Sequence, residues 1–200
     1  MNIIAGRHRG RVLKSPKGQA TRPVLGRTRE ALFNVLGDVT GLAVLDLFAG
    51  TGALGIEALS RGAASLTTVE QGHAASRAIR ENLDMLGEAA EVVADDVFRA
   101  LRRFGSEGRR FDLVFIDAPY EQGLSQKAAG TVFGQGVLAE NGLIAVTVRF
   151  GEVMPGDPGW QGDALPMEAR MVFDRRYGET RLVIYANKPV PKNDEDPSVQ

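Results

Sequence analysis

The stretch Val44-Leu-Asp-Leu-Phe-Ala-Gly-Thr-Gly-Ala-Leu-Gly55 decides the architecture. Residues 42–47 are nearly all apolar, the pattern of a short strand buried on both faces of a parallel sheet. The run breaks at Gly50, Gly52 and Gly55, and residues 53–61 then read as helix. Glycines at a strand-to-helix turn permit a tight bend and let a ligand approach bare backbone. The helix N-terminus beyond them offers unpaired N–H groups.

Outward from this turn the chain alternates. Strands are expected over residues 65–70, 91–94, 111–116 and 142–148, with helices over 74–86, 97–104 and 125–138 between them. Strand and helix in alternation give an α/β fold with a parallel, doubly wound sheet. The rhythm changes at the end, where residues 167–174 and 180–187 read as an antiparallel hairpin turning at Arg175-Arg-Tyr-Gly-Glu179. A parallel sheet closed by a C-terminal antiparallel hairpin is the Rossmann-like class I methyltransferase arrangement rather than that of a nucleotide dehydrogenase. Residues 150–166, with three prolines, four glycines and Trp160, read as an irregular surface flap. Before the sheet, residues 27–36 take helical spacing, and residues 2–13 read as two short strands around a basic turn. The expected organisation is a basic N-terminal β-hairpin extension over 1–20, one domain over 21–188, and a disordered acidic tail over 189–200.

Read literally, the opening stretch is the dinucleotide fingerprint G-x-G-x-x-G, with Glu70 about 20 residues further on. Asp46 argues against a dinucleotide, because a pyrophosphate would meet a carboxylate four residues before the first glycine. A cofactor carrying a cationic ammonium would find the same carboxylate useful. Asp117-Ala-Pro-Tyr120, which a dehydrogenase does not need, points the same way, to S-adenosylmethionine. In a doubly wound sheet ligands bind beyond the carboxyl ends of the strands. Here those ends carry Asp46, Glu70, Asp95-Asp96 and Asp117. One acid at a strand end is ordinary turn chemistry; four in series aim carboxylates at one edge.

Roles follow from position. Phe48, Ala49, Gly50, Thr51 and Gly52 would bring backbone against the methionine part of the cofactor, with Asp46 near its ammonium. Glu70 is placed for both ribose hydroxyls, Asp96 (or Asp95) for the adenine amino group, and Val97 to cover the ring. Asp117 and the Ala118 carbonyl would grip the two hydrogens of an exocyclic amine on a base. Pro119 would stiffen that turn, and Tyr120 would stack on a flipped base.

Two hundred residues, 44% hydrophobic, suffice for one α/β domain. No cysteine and only His8 and His73 leave little material for a metal site, and the absence of cysteine fits a reducing, cytoplasmic setting. No apolar run reaches the roughly 18 residues of a membrane span. Net charge is −1, but residues 1–30 hold eight Arg and Lys against the single acid Glu30. A basic head on a neutral body is a candidate polyanion-binding arm. Arg7, Arg9, Arg11 and Arg22, with Arg175 and Arg176 near the end, are the candidate phosphate contacts.

Several of these stretches together resemble one family. They are Ile3-Ile-Ala-Gly-Arg-His-Arg-Gly-Arg11, Thr21-Arg-Pro23, Arg29-Glu-Ala-Leu-Phe-Asn34, Leu45 to Gly55, Glu57-Ala-Leu-Ser-Arg-Gly-Ala63, Asp117-Ala-Pro-Tyr120 and Arg175-Arg-Tyr-Gly178. The sequence resembles the RsmD family of bacterial 16S ribosomal RNA guanine-N2 methyltransferases across all but the acidic tail. The resemblance implies adenosylmethionine as methyl donor and a guanine exocyclic amine in 16S rRNA as acceptor. It also implies a monomer acting on a small-subunit particle, with Arg7, Arg9, Arg11, Arg22, Arg175 and Arg176 as its RNA contacts. Two departures stand out. The family pattern is usually Asp-Pro-Pro-Tyr, where this chain has Ala118, and Val24-Leu-Gly26 replaces a more polar stretch. The competing readings are a DNA amino-methyltransferase, a small-molecule methyltransferase that leaves the basic arm unexplained, and a catalytically impaired RNA-binding assembly factor.

Overall fold

The computed structural model describes residues 1–15, 26–120, 123–162 and 169–187. Arg22, the Thr21-Arg-Pro23 and Val24-Leu segments and the acidic tail lie outside the described residues. In chain order the elements are α1 (Gly26–Leu36), β1 (Ala43–Leu47), α2 (Ala53–Ser60), β2 (Ser65–Val69), α3 (His73–Leu86), β3 (Glu91–Val93) and α4 (Val97–Ser106). Then come β4 (Phe111–Ile116), α5 (Leu124–Gly134), β5 (Leu138–Arg149), β6 (Arg170–Tyr177) and β7 (Thr180–Ala186).

The strands form one sheet in the order β3-β2-β1-β4-β5-β7-β6. β1 to β5 run parallel, and β7 lies antiparallel between β5 and β6. The doubly wound sheet closed by an antiparallel hairpin is therefore the architecture found. Strand order reverses between β1 and β4, so the crevice beyond their carboxyl ends is the switch point where such sheets bind ligands.

Side chains alternate across a strand. Leu45 and Leu47 of β1 join the core under α4 and α5, with Val114, Ile116 and Val146. Val44 joins the opposite core, with Leu32, Phe33, Ile56, Ile79 and Phe115 from α1, α2, α3 and β4. The same alternation sends Asp46 to the α2 face.

Boundaries differ from expectation in three places. The helix expected to Leu138 ends at Gly134, because Gly136 (φ 58) turns the chain and lets Leu138 pair with Phe111 as the start of β5. β6 runs on to Tyr177 and turns at Gly178 (φ 61), so Arg175 and Arg176 are strand residues rather than turn residues. Nor is 150–162 a detached flap. Met154 is fully buried in the core, Tyr185 donates its hydroxyl to the Pro155 carbonyl at 2.9 Å, and Arg181 grips Asp157 through both carboxylate oxygens at 2.6 and 2.7 Å.

The two strands expected over residues 2–13 reduce to one antiparallel bridge, Asn2 with Val12. Ile3 N–H still bonds the Arg11 carbonyl at 2.9 Å and Leu13 N–H the Met1 carbonyl at 2.7 Å, but the N–H groups of the tip turn to α2. Ile4 and Ala5 donate their N–H groups to the two oxygens of the fully buried Glu57 at 2.8 and 2.9 Å, and Arg7 donates its N–H to the Ser60 carbonyl at 2.8 Å. A Cβ on Gly6 (φ 79) would lie 1.8 Å from that carbonyl oxygen, so only glycine allows the arm this close to the helix.

Candidate active site

The turn after β1 is built tightly. Phe48 holds a left-handed φ of 57°, unusual for a non-glycine residue, and Gly52 donates its N–H to the Ala49 carbonyl at 2.7 Å. Gly55 serves packing: a Cβ there would meet Leu66 Cδ1 at 2.5 Å and Asp46 Oδ2 at 3.1 Å. Its bare N–H donates to Asp46 Oδ2 at 3.0 Å. Asp46 is thus a buried strand residue (1% exposed) beneath the turn, not a turn residue. Burial first, then the charges of Asp117 and Glu70, outweigh the Gly55 hydrogen bond and push its carboxyl up to about 7.

Glu70 lies just beyond β2 and clips two turns together. Its Oε2 accepts from Gly50 N–H at 2.9 Å and its Oε1 from Gly72 N–H at 2.7 Å. The carboxylate is thereby held flat against the glycine turn at the mouth of the switch point. Asp96 caps α4, its Oδ1 accepting from Arg99 N–H at 2.9 Å, while Asp95 accepts from Asp96 N–H and pairs with the Arg99 guanidinium. Val97 is buried in the core. The half-buried ring beside it is Phe98, edge-on to Phe48 with centroids 6.4 Å apart and with the Lys127 ammonium 4.3 Å from its centre.

Asp117 continues β4 at the adjoining strand end. Thr147, buried in β5, donates its hydroxyl to Asp117 Oδ1 and fixes the carboxylate's rotamer. Ala118 is buried (2% exposed), Pro119 is exposed, and the Tyr120 hydroxyl lies 3.1 Å from the hydroxyl of Thr180 at the start of β7. The structure therefore brings Asp46, Phe48 to Gly52, Glu70 and Asp117 to Tyr120 to one edge. Thr147 and Thr180 were not singled out in the sequence. No local pattern marks them, since each is defined by a partner 30 or 60 residues away.

The basic residues are dispersed. Arg7 and His8 both bind Glu88, at 2.6 and 2.5 Å, and His8 N–H bonds the Ser60 hydroxyl at the far end of α2. Arg9 and Arg11 are exposed, with no ion pair among the described residues. Arg29 is not a surface contact. Its buried guanidinium donates to the Asn2 carbonyl and faces Glu57 at 3.9 Å. Burial lowers its pKa, and the Glu57 charge opposes that shift. Asn82 completes the anchorage, accepting from Lys14 N–H at 2.8 Å and donating to the Thr51 carbonyl in the glycine turn at 3.2 Å.

Comparison with known proteins agrees with this geometry. Residues 1–186 match the family described as Conserved hypothetical protein 95. The Ribosomal RNA small subunit methyltransferase D of Escherichia coli K12 is 36% identical over 159 residues, 79% of either chain. The protein of the same name from Haemophilus influenzae is 35% identical over 164 residues, 80% of this chain and 84% of the relative. Among solved structures, yhhF from Escherichia coli superposes with a TM-score of 0.79 at 32% identity, covering 94% of this chain and 98% of that one. With both the family match and these relatives spanning most of its length, the chain belongs to the RsmD family.

Proposed function

We propose that this protein transfers a methyl group from S-adenosylmethionine to the exocyclic N2 amine of a guanine in 16S ribosomal RNA. It does so as a cytoplasmic monomer on a small-subunit particle. The observation that carries the reading is the pairing, at one switch point, of the Glu70-clipped glycine turn with Asp117-Ala118-Pro119-Tyr120 on the neighbouring strand. The names of the relatives support rRNA as the substrate.

The residues present fit the cofactor. A Cβ at Gly50 would find no atom closer than the Phe48 carbonyl oxygen at 4.0 Å, so the turn leaves open space over its backbone. Glu70 presents a carboxylate suited to a ribose diol, while Asp46, buried beneath the turn, supports that turn by accepting from the Gly55 N–H. When bound, the cofactor supplies an electrophilic methyl carbon on a sulfonium.

The chain's own residues prepare the nucleophile. An exocyclic guanine amine is a weak nucleophile because its lone pair is delocalised into the ring. Asp117 and the Ala118 carbonyl accept its two hydrogens, which turns the lone pair out of conjugation and towards the methyl group. The glycine turn and Glu70 would hold the cofactor, which would supply the methyl group to that nitrogen, and one of the nitrogen's two hydrogens would leave as a proton by way of the Asp117 carboxylate. Thr147 keeps the Asp117 carboxylate in one orientation, and Tyr120, tethered through Thr180, offers a face to the flipped base. Holding the reacting atoms in line accounts for much of such an acceleration. Ala118 in place of proline keeps the carbonyl acceptor.

The test is methyl transfer from labelled adenosylmethionine to unmodified small-subunit particles, naked ribosomal RNA, duplex DNA and single-stranded DNA, with product nucleosides identified by mass. Label in N2-methylguanosine is expected. Label in DNA, or cofactor binding with no label anywhere, would replace this reading with a DNA enzyme or an inactive assembly factor.

A further inference from the structure

The rim that carries Asp117 and Tyr120 also carries an aromatic ring outside the core. Phe150 follows the last residue of β5 and is 50% exposed. Its N–H donates to the Glu179 carbonyl at 2.7 Å, so the residue is fixed to the β6–β7 turn. The Arg176 guanidinium lies over its ring, 4.0 Å from the centroid, and Arg176 Nε donates to the Gly178 carbonyl at 2.6 Å.

The charge around this ring is sorted. Residues directly opposite on antiparallel strands share a face, and Arg176 stands opposite Arg181. Arg181 is neutralised by Asp157 and Asp174, at 2.6 and 2.8 Å, and these hydrogen bonds raise its pKa. Glu152 accepts from Arg149 N–H and from the Gln126 amide. Asp157, Asp174 and Glu152 are therefore engaged elsewhere, and Arg176 alone of the two arginines makes no ion pair with a carboxylate among the described residues. A scattered exposed phenylalanine is normal. One fixed through its backbone and covered on one side by an uncompensated guanidinium is the combination that stacks a base and binds its phosphate.

Its place fits such a task. Thr147, which grips Asp117, precedes Phe150 by three residues, about 10 Å along an extended strand. Tyr120 reaches Thr180, and Thr180 is the residue directly across from Arg149. Tyr120 and Phe150 thus stand on one rim.

We propose that Phe150 and Arg176 form a stacking platform for a single-stranded nucleotide adjacent to the methylated guanine, the base on the ring and its phosphate on the guanidinium. This rests on the RNA methyl-transfer reading above. Phe150→Leu keeps the bulk and removes the π face; Phe150→Trp keeps both; Arg176→Gln removes the charge at an exposed site.

The experiment measures kcat and KM for unmodified small-subunit particles, Kd for adenosylmethionine and equilibrium Kd for naked 16S rRNA, with the full chain. Phe150→Leu and Arg176→Gln should each raise the particle KM roughly tenfold, with Phe150→Trp near wild type and cofactor Kd unchanged throughout. An unchanged KM in Phe150→Leu overturns the platform while leaving methyl transfer standing. A Phe150→Trp variant as impaired as Phe150→Leu assigns the ring a space-filling role and also overturns it. If the wild type binds RNA but methylates none, the methyl-transfer reading fails separately. The RNA Kd of Phe150→Leu then decides the platform: weaker binding supports it and equal binding ends it.

Discussion

A carboxyl group buried in the middle of a sheet, accepting from the Gly55 N–H and facing the charges of Asp117 and Glu70, holds its proton to about pH 7. In the unfolded chain the same Asp46 ionises near pH 4. Between those values the folded state binds more protons than the unfolded one, so this residue's contribution to stability falls as pH rises from about 4 to about 7 and is level above. Asp46→Asn keeps an acceptor for Gly55 and abolishes the titration. Denaturant unfolding at pH 5 and pH 8 should show the variant gaining on wild type at the higher pH, by at most about 2.7 kcal/mol. Asp117→Ala, on the strand edge beside it, should abolish turnover while leaving the cofactor Kd within about twofold; methylation by that variant would move the reaction site elsewhere. All these acids were legible in the sequence because strand ends are legible. What each carboxylate touches was not. Nothing local shows that Asp96 also caps α4, or that Asp46 lies beneath the glycine turn rather than facing a ligand above it.

At the scale of elements, α2 does more than follow the glycine turn. Glu57 on its buried face takes two N–H groups of the N-terminal arm and the guanidinium of Arg61, with Arg29 facing it. Removing that carboxylate leaves a buried arginine facing no charge, a change that costs about 3–5 kcal/mol. Glu57→Ala should therefore lower the denaturation midpoint by an amount corresponding to that loss. It should also expose the first 15 residues to proteolysis before the rest of the chain. The sequence segments Ile-Ala-Gly and Glu-Ala-Leu-Ser-Arg are the two sides of this joint, which explains their residue types without recourse to RNA. Sequence periodicity located every helix and strand from α1 to β7. It failed where tertiary pairing overrides local preference. The N–H groups of Ile4, Ala5, Arg7 and His8 bond α2 rather than extending the hairpin, and residues 150–162 are pinned by Arg181 and Tyr185 from a hairpin two dozen residues on or more.

Across the whole molecule the positive charge is not gathered at the reaction edge. The basic turn of the arm is fastened at Ser60, one helix length or about 12 Å from the glycine turn. RNA held by both the arm and the rim must therefore span the molecule. Arg9→Ala and Arg11→Ala should each reduce the slope of log K for RNA against log salt by about 0.7, with cofactor affinity untouched. Titrations at several salt concentrations read this directly, and an unchanged slope removes the arm from the RNA contact. The strand order carries a further consequence for synthesis. β7 lies between β5 and β6, and the edge of β5 from Leu143 to Arg149 has no partner until β7 arrives. Arg149 leaves the ribosome 31 residues ahead of its partner Thr180, an interval of about 1.5–6 s at about 5–20 residues per second. Through that time the nascent chain holds a long apolar strand edge open to any other unpaired strand. The rim beside Asp117 closes only when translation has passed the hairpin, so chains stalled before it should aggregate rather than accumulate as partly active enzyme.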